Sequence, residues 1–185
     1  MRLFVALDLT DCVRETIARF CAKVRPALPD ARWVRADSIH VTLKFIGETG
    51  KERLAAIREA LSTIRSAAPV EMKFRGVGFF PDARRPRVFW AGIGASANLA
   101  EIAAEVESRL EPLGIARESR EFRPHLTLAR IEKTSGVGKL QAAVCETAEL
   151  QFGSVCTNKM HLMRSELGRG DPRYSRIETY DFTVT

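Results

Sequence analysis

Histidine is scarce in this sequence, and so are the residue patterns from which metal and redox centres are built. The 185 residues include three histidines and four cysteines, and no two cysteines show the C-x-x-C spacing of zinc or thioredoxin-type sites. Carboxylates are not clustered either. These shortages argue against a metal centre, and we predict a protein that needs no metal and no cofactor. The cysteines are expected to be reduced thiols packed in the core.

Long apolar runs are also missing. No stretch approaches the roughly 18 apolar residues that a membrane-spanning helix needs. The start, MRLFVALDLT, resembles a signal peptide only superficially, because Asp8 interrupts it and no small-residue cleavage site follows. We therefore expect a cytoplasmic protein without a membrane partner.

The charge balance is basic. Lysine and arginine number 29 against 23 aspartates and glutamates, which gives a formal net charge of +6. Basic surface attracts phosphate, so the balance favours a polyanionic partner such as RNA. The charges are scattered along the chain, however, and this signal is weak by itself.

The sequence contains an internal repeat with an offset of 85 residues. IHVTLKFIG at 39–47 is echoed by PHLTLARI at 124–131, and RLFVA at 2–6 is echoed by RVFWA at 87–91 in the same register. Each half starts with a strand-forming stretch, continues with a helix-period segment and then enters its histidine phrase. We predict one bilobal domain over residues 1–185, built from duplicated, intertwined halves of about 1–84 and 85–170. The expected fold class is α+β, with two pseudo-symmetric lobes of mostly antiparallel sheet and outer helices.

Strand alternation predicts which side chains of the histidine phrases share a face. In the first phrase the shared face holds His40, Thr42 and Lys44, while Phe45 points to the core. In the second phrase it holds His125 and Thr127. Pseudo-twofold packing would place the two strands side by side, and the result would be a cleft lined by two histidines and two threonines.

Two imidazoles that face one cleft are suited to acid–base catalysis near neutral pH, because one can be neutral while the other is protonated. Threonine hydroxyls can donate hydrogen bonds to an anion held between them. A phosphodiester fits this arrangement, and we predict that His40 and His125 are catalytic. His161 has no threonine phrase and no histidine counterpart in the repeat, so we interpret it as a strand residue without a catalytic role.

The two phrases, HVTLKFIG and HLTLAR, resemble the paired H-x-T-x motifs of the two-histidine phosphoesterase superfamily. The chain is more closely similar to the bacterial RNA 2′,3′-cyclic phosphodiesterases (LigT-like), historically called 2′-5′ RNA ligases. Matching segments span nearly the whole chain: MRLFVALDL, ARWVR, RRPRVFWAGI, FRPHLTLAR and LMRSELG.

This resemblance implies metal-free hydrolysis of a terminal 2′,3′-cyclic phosphate to a 2′-phosphomonoester. By the motif match, His40 donates a proton to the leaving 3′ oxygen and His125 accepts a proton from the attacking water. Thr42 and Thr127 hold phosphate oxygens. Arg130 is a candidate phosphate ligand only if a bulge redirects it, since strict alternation from His125 points it away from the cleft.

Two alternatives stay open: 2′-5′ ligation of RNA in the same cleft, and a non-catalytic RNA-binding protein. The expected partner is RNA or a nucleotide with a 2′,3′-cyclic phosphate. We expect a monomer, because an internal duplication removes the need for a dimer to build a two-histidine site. Phe45, Phe80 and Trp33 are interpreted as core residues rather than as platforms on which a base stacks.

Overall fold

The computed structural model describes residues 1–145, 150–166 and 172–183, in which nine strands and four α-helices are formed. The strands are β1 (Arg2–Leu7), β2 (Arg32–Trp33), β3 (Val41–Glu48), β4 (Val70–Phe80), β5 (Val88–Ala95), β6 (His125–Arg130), β7 (Gln151–Thr157), β8 (Lys159–Glu166) and β9 (Arg173–Asp181). The helices are α1 (Asp11–Val24), α2 (Leu54–Ser62), α3 (Asn98–Leu110) and α4 (Val137–Val144).

The strands form two sheets. The first has the order β3-β1-β8-β9 and the second the order β2-β6-β5-β4-β7. All pairings within them are antiparallel. Helices cover one face of the sheets, where α1 packs near β7 and α2 and α3 pack near β9 and β3. The structure therefore confirms the predicted fold class, with mostly antiparallel sheets and outer helices.

The two sheets are built from equivalent strands of the repeat. β1 pairs with β3 as β5 pairs with β6. On its other side β1 pairs with β8, and β5 correspondingly pairs with β4. The strand β4, which precedes the repeat boundary, thus lies in the sheet of the second histidine strand, while β8 lies in the sheet of the first. This exchange favours the predicted intertwined duplication, which stays a prediction.

The strand β1 is buried on both faces, and alternate side chains contribute to two different surfaces. Leu3, Val5 and Leu7 are buried in the main hydrophobic cluster beneath the helices. Phe4 and Ala6 are also buried, but they lie outside that cluster, on the opposite face of the sheet. The histidine and threonine side chains of the two phrases lie on this second face, away from the helices.

The cysteine prediction is correct in one respect and wrong in another. All four cysteines are free, but Cys12, Cys145 and Cys156 are exposed, and only Cys21 is partly buried. On α1 the buried positions belong to larger apolar residues such as Ile17 and Phe20, so Cys12 is left facing outward. Across the described ranges no helix is long and apolar enough to cross a membrane.

Candidate active site

The two histidine strands meet where the sheets adjoin. His40 immediately precedes β3, and His125 is the first residue of β6. β3 is an edge strand of its sheet, and its Cα atoms approach those of β6 within 8 Å. Both imidazoles are half-buried, so neither is sealed in a hydrophobic interior. Thr42 and Thr127, each two residues further along, are half-buried in the same way.

Both imidazoles are held by the same hydrogen bond. The Nδ1 atom of His40 lies 2.8 Å from the carbonyl oxygen of Ser38, and the Nδ1 atom of His125 lies 2.7 Å from that of Arg123. A carbonyl oxygen only accepts, so Nδ1 carries the hydrogen in each ring. The Nε2 atom therefore bears a lone pair when the ring is neutral and a proton when it is charged. Each histidine can act through Nε2 as a base or as an acid.

The surroundings of the two rings differ. The ring of His40 stacks on Phe4, with centroids 4.6 Å apart, and meets Tyr174 edge-on at 5.2 Å. The ring of His125 meets Phe80 edge-on at 5.0 Å. Burial lowers the pKa of His40 to about 4, an effect that the Ser38 hydrogen bond opposes only in part. At neutral pH, His40 is consequently uncharged in the free protein.

A β-bulge follows the threonine in both strands. Along β1 the pairing register passes from Lys44 directly to Thr42, which leaves Leu43 without a partner. Along β5 it passes from Ala129 to Thr127, which leaves Leu128 without a partner. The two unpaired leucines occupy equivalent positions of the repeat. Each bulge reverses the alternation of side chains beyond it.

The bulge in β3 makes the predicted directions of Lys44 and Phe45 wrong. Lys44 turns away from the histidine face and is buried, where its ammonium group donates to Glu107 Oε2 at 2.5 Å and to the Ala116 carbonyl oxygen at 2.6 Å. Phe45 turns the other way. Its side chain is 64% exposed, and its ring lies 6.1 Å from Phe4 on the face that carries His40. The core interpretation of Phe45 is therefore wrong.

The other two aromatic residues singled out in the sequence lie in different surroundings. Trp33 is buried, and its indole nitrogen donates to the Leu28 carbonyl oxygen, so its interpretation as a core residue is confirmed. Phe80 is half-buried between His125 and Trp90, with ring centroids 5.0 Å from each. Phe80 lies outside the main hydrophobic cluster, so its interpretation as a core residue is wrong, and its ring packs edge-on against the second imidazole instead.

The bulge in β6 has the complementary effect on Arg130. Ala129 is fully buried on the core side, and the exposed Arg130 follows it on the face of His125 and Thr127. Within the described ranges its guanidinium group forms no hydrogen bond or ion pair. The redirecting bulge on which a phosphate contact depends is thus present, although alternation alone predicts the opposite direction.

His161 lies on the same sheet face as the first histidine phrase, which the sequence did not indicate. It pairs across β8 with Ala6, which in turn pairs with Thr42, and directly opposed residues point to one side of a sheet. Its Nδ1 atom lies 2.9 Å from the Thr179 hydroxyl, and burial lowers its pKa. No histidine stands at the position of the repeat that is equivalent to His161. The repeat therefore could not predict that His161 lies in the floor of the cleft.

A charged group supports the segment before His40, and sequence reasoning missed it too. Arg14 on α1 donates to the carbonyl oxygens of Ile39 at 2.7 Å and Ala36 at 3.0 Å, and it also bonds to Asp8. Asp8 accepts a second hydrogen bond from Arg176 at 2.6 Å. The alternation of Phe4, Ala6 and Asp8, which starts in β1 and ends one residue beyond it, was the available signal that Asp8 lies on the face of Phe4. In the described part of the chain, no group of three or more histidine, cysteine or carboxylate side chains is placed to hold a metal ion.

Comparison with known proteins agrees with this geometry. The family described as LigT like Phosphoesterase matches residues 7–90 and 93–174. The chain belongs to the LigT-like phosphoesterase family. A LigT-like relative from Archaeoglobus fulgidus, named RNA 2′,3′-cyclic phosphodiesterase, is 33% identical over 98% of this chain and 100% of its own length.

Two solved structures show the shared LigT-like fold. The protein TT0787 of Thermus thermophilus superposes with a TM-score of 0.80 and 28% identity over 98% of both chains. Escherichia coli LigT in its apo form superposes with a TM-score of 0.79 and 28% identity, over 99% of this chain and 98% of LigT. The resemblance read from the H-x-T-x phrases is confirmed.

Proposed function

We propose that this chain is an RNA 2′,3′-cyclic phosphodiesterase that opens terminal cyclic phosphates to 2′-phosphomonoesters. The observation that carries the proposal is the matched pair of imidazoles at adjoining strands, each with Nδ1 bound to a carbonyl oxygen and Nε2 left for substrate. Relatives with that enzyme name occur in archaea and bacteria. Escherichia coli LigT has been crystallised with phosphate and with 3′-AMP.

In the proposed reaction, Nε2 of His125 removes a proton from a water molecule as the water oxygen attacks phosphorus. The bond between phosphorus and the 3′ oxygen breaks, and Nε2 of His40 protonates that oxygen. The hydroxyl groups of Thr42 and Thr127 donate to the non-bridging oxygens, whose charge grows in the transition state. Arg130, on the face of His125, adds a positive charge there. The products are a 3′-hydroxyl and a 2′-phosphomonoester.

The assignment of acid and base rests on the family resemblance, and the pKa of His40 sets a condition on it. With a pKa of about 4 in the free protein, His40 carries no proton on Nε2 to donate at neutral pH. A bound phosphodiester anion stabilises the charged imidazolium and raises that pKa. His40 therefore acquires its proton as substrate binds.

Hydrolysis is favoured over the two alternatives. Water is the nucleophile in the proposed reaction, whereas 2′-5′ ligation would break the same bond to the 3′ oxygen with the 5′-hydroxyl of a second RNA end in place of water, and it therefore needs that second RNA end in the cleft. The paired Nε2 atoms favour catalysis over simple RNA binding, because together they can supply both the base and the acid of the reaction. We further propose that the enzyme acts as a monomer in the cytoplasm and without a metal ion.

The deciding experiment is incubation of the purified protein with an oligoribonucleotide that carries a 2′,3′-cyclic phosphate. We expect the 2′-phosphomonoester as product. His40→Ala and His125→Ala should each lower kcat by roughly a hundredfold or more, as expected when a general acid or base is lost, while RNA affinity changes little. His161→Ala is the matched control, and we expect it to retain most of the turnover. Equal turnover in the wild type and both catalytic variants would contradict the proposal.

A further inference from the structure

The edge strand β2 places a second arginine beside Arg130. In the pairing of β2 with β6, Arg32 stands directly opposite Arg130, and the next pair is Trp33 with Ala129. Trp33 and Ala129 are both buried in the core, so the two arginines point to the opposite face, which is the face of the cleft. Both arginines are exposed. The cleft therefore continues beyond Thr127 as a pair of neighbouring guanidinium groups.

This pair of arginines is unfavourable without an anion. Like charges at directly opposed positions of two strands destabilise a sheet. Within the described ranges, the one ion pair of Arg32 joins its Nη1 atom to Glu132 Oε1 at 3.9 Å, and both side chains are more than half exposed, so the pair adds little. Arg87 brings a third guanidinium group to this end of β6, where its Nη1 atom donates to the Glu132 carbonyl oxygen at 3.4 Å. The local excess of positive charge suits a phosphate group.

We propose that Arg32 binds the phosphodiester on the 5′ side of the terminal nucleotide of an RNA chain. This inference rests on the proposed function and deepens it, because it makes RNA ends, rather than free cyclic nucleotides, the preferred substrates. The cyclic phosphate lies between the imidazoles with Arg130 beside it, and Arg32 lies about 5 Å further out, the spacing of neighbouring strands. An RNA end has its next phosphate one nucleotide away, whereas a free cyclic nucleotide has none.

The test compares two substrates that carry the same cyclic phosphate. One is adenosine 2′,3′-cyclic phosphate, and the other is the dinucleotide adenylyl-adenosine with the same cyclic end. Arg32→Ala should lower kcat/KM on the dinucleotide roughly tenfold, mainly through a higher KM, as expected for the loss of one charge-assisted hydrogen bond to a phosphate. Its kcat/KM on the mononucleotide should not change. Arg32→Lys, which keeps the charge, should retain part of the preference for the dinucleotide.

A neutral linkage identifies the phosphate that Arg32 binds. In a second dinucleotide, a methylphosphonate replaces the internal phosphodiester and removes its charge. The wild type should use this compound about as poorly as Arg32→Ala uses the charged dinucleotide, and Arg32→Ala should not distinguish the two. The slope of log affinity against log salt for the charged dinucleotide should also be smaller by about 0.7 in Arg32→Ala, the value for one phosphate contact on a single strand.

Arg19→Ala is the matched control, because Arg19 is an exposed arginine on the outer helix α1 and its loss changes the net charge by the same amount. We expect it to leave the preference for the dinucleotide unchanged. Equal losses of Arg32→Ala on the mononucleotide and the dinucleotide would show that Arg32 acts on the cyclic phosphate or on the fold, and would overturn the proposal. So would unchanged kinetics on both, or an equal loss in Arg19→Ala, which net charge would explain.

Binding separates this proposal from the proposed function. Calorimetry with two dinucleotides that end in a 2′-phosphate, one with the charged and one with the neutral linkage, measures the contribution of the internal phosphate without any turnover. We expect Arg32→Ala to weaken only the charged compound. A wild-type protein that hydrolyses none of the cyclic phosphates would contradict the enzymatic function, while the binding comparison would still decide the role of Arg32.

Discussion

At the scale of single residues, the two catalytic candidates are equal in sequence and unequal in environment. The phrases around His40 and His125 predicted the pair, because strand alternation and the repeat offset need no knowledge of the rest of the fold. The pKa of His40 could not be predicted in this way. It depends on burial against Phe4 and Tyr174, which β1 and β9 bring from opposite ends of the chain.

We expect a titration of the imidazole C–H signals by NMR to show a pKa near 4 for His40 in the free protein. Adding a nucleoside 2′-phosphate should raise this pKa, since the anion stabilises the imidazolium. The unfolded chain takes up the same proton near pH 6.5, so acidification from 6.5 toward 4 should also destabilise the fold. The signal is assigned by its absence in His40→Gln. An ordinary pKa, unchanged by the phosphate, would contradict both the environment and the role described for His40.

At the scale of elements, much of the secondary structure could be predicted from the sequence. The strand expected over VEMKFRGVGFF is β4 itself, and the apolar spacing around Leu99 and Val106 identified α3. The bulges could not be predicted, because a leucine suits either face at positions 43 and 128. In the second phrase, two successive apolar residues, Leu128 and Ala129, are compatible with a bulge. In the first phrase the second residue that faces the core is Lys44, a charged residue, so the sequence gives no sign of the bulge.

That lysine leads to a prediction about stability. Lys44→Ala would leave the carboxylate of Glu107, a largely buried group on α3, without its cation. Removing one partner of a buried ion pair should lower the free energy of unfolding by about 3 kcal/mol. The measurement is urea denaturation, with Arg109→Ala as a control that breaks an exposed ion pair on the same helix.

The double variant Lys44→Met/Glu107→Leu should recover much of the lost stability, because it leaves no unpaired charge in the interior. If Lys44→Ala lowered the free energy of unfolding no more than Arg109→Ala does, the conclusion would be that Lys44 does not hold β3 against α3. The outward direction of Phe45 would then lack the support that the buried lysine gives to the bulge.

At the scale of the whole molecule, the cleft forms where two sheets adjoin, and every group proposed for catalysis is a protein side chain. We expect hydrolysis of a 2′,3′-cyclic phosphate to proceed at an unchanged rate after dialysis against EDTA, since two imidazoles supply both proton transfers. The measurement is the initial rate before and after chelation, with a known metal-dependent nuclease treated in parallel. A loss of activity that a divalent ion restores would show that the acid–base scheme is incomplete.

The exchange of β4 and β8 between the two sheets sets a limit on how this enzyme can be divided. A chain cut between β4 and β5 would yield two pieces. The N-terminal piece would keep β4, which the sheet of β5 and β6 needs, and the C-terminal piece would keep β8, which the sheet of β1 and β3 needs. β4 separates β5 from β7, so the C-terminal piece alone would hold β7 without a neighbour to bind it. We expect that neither piece folds as a separate lobe. A protein that contained only one half of the repeat could build such a cleft only as a dimer whose two copies exchange strands.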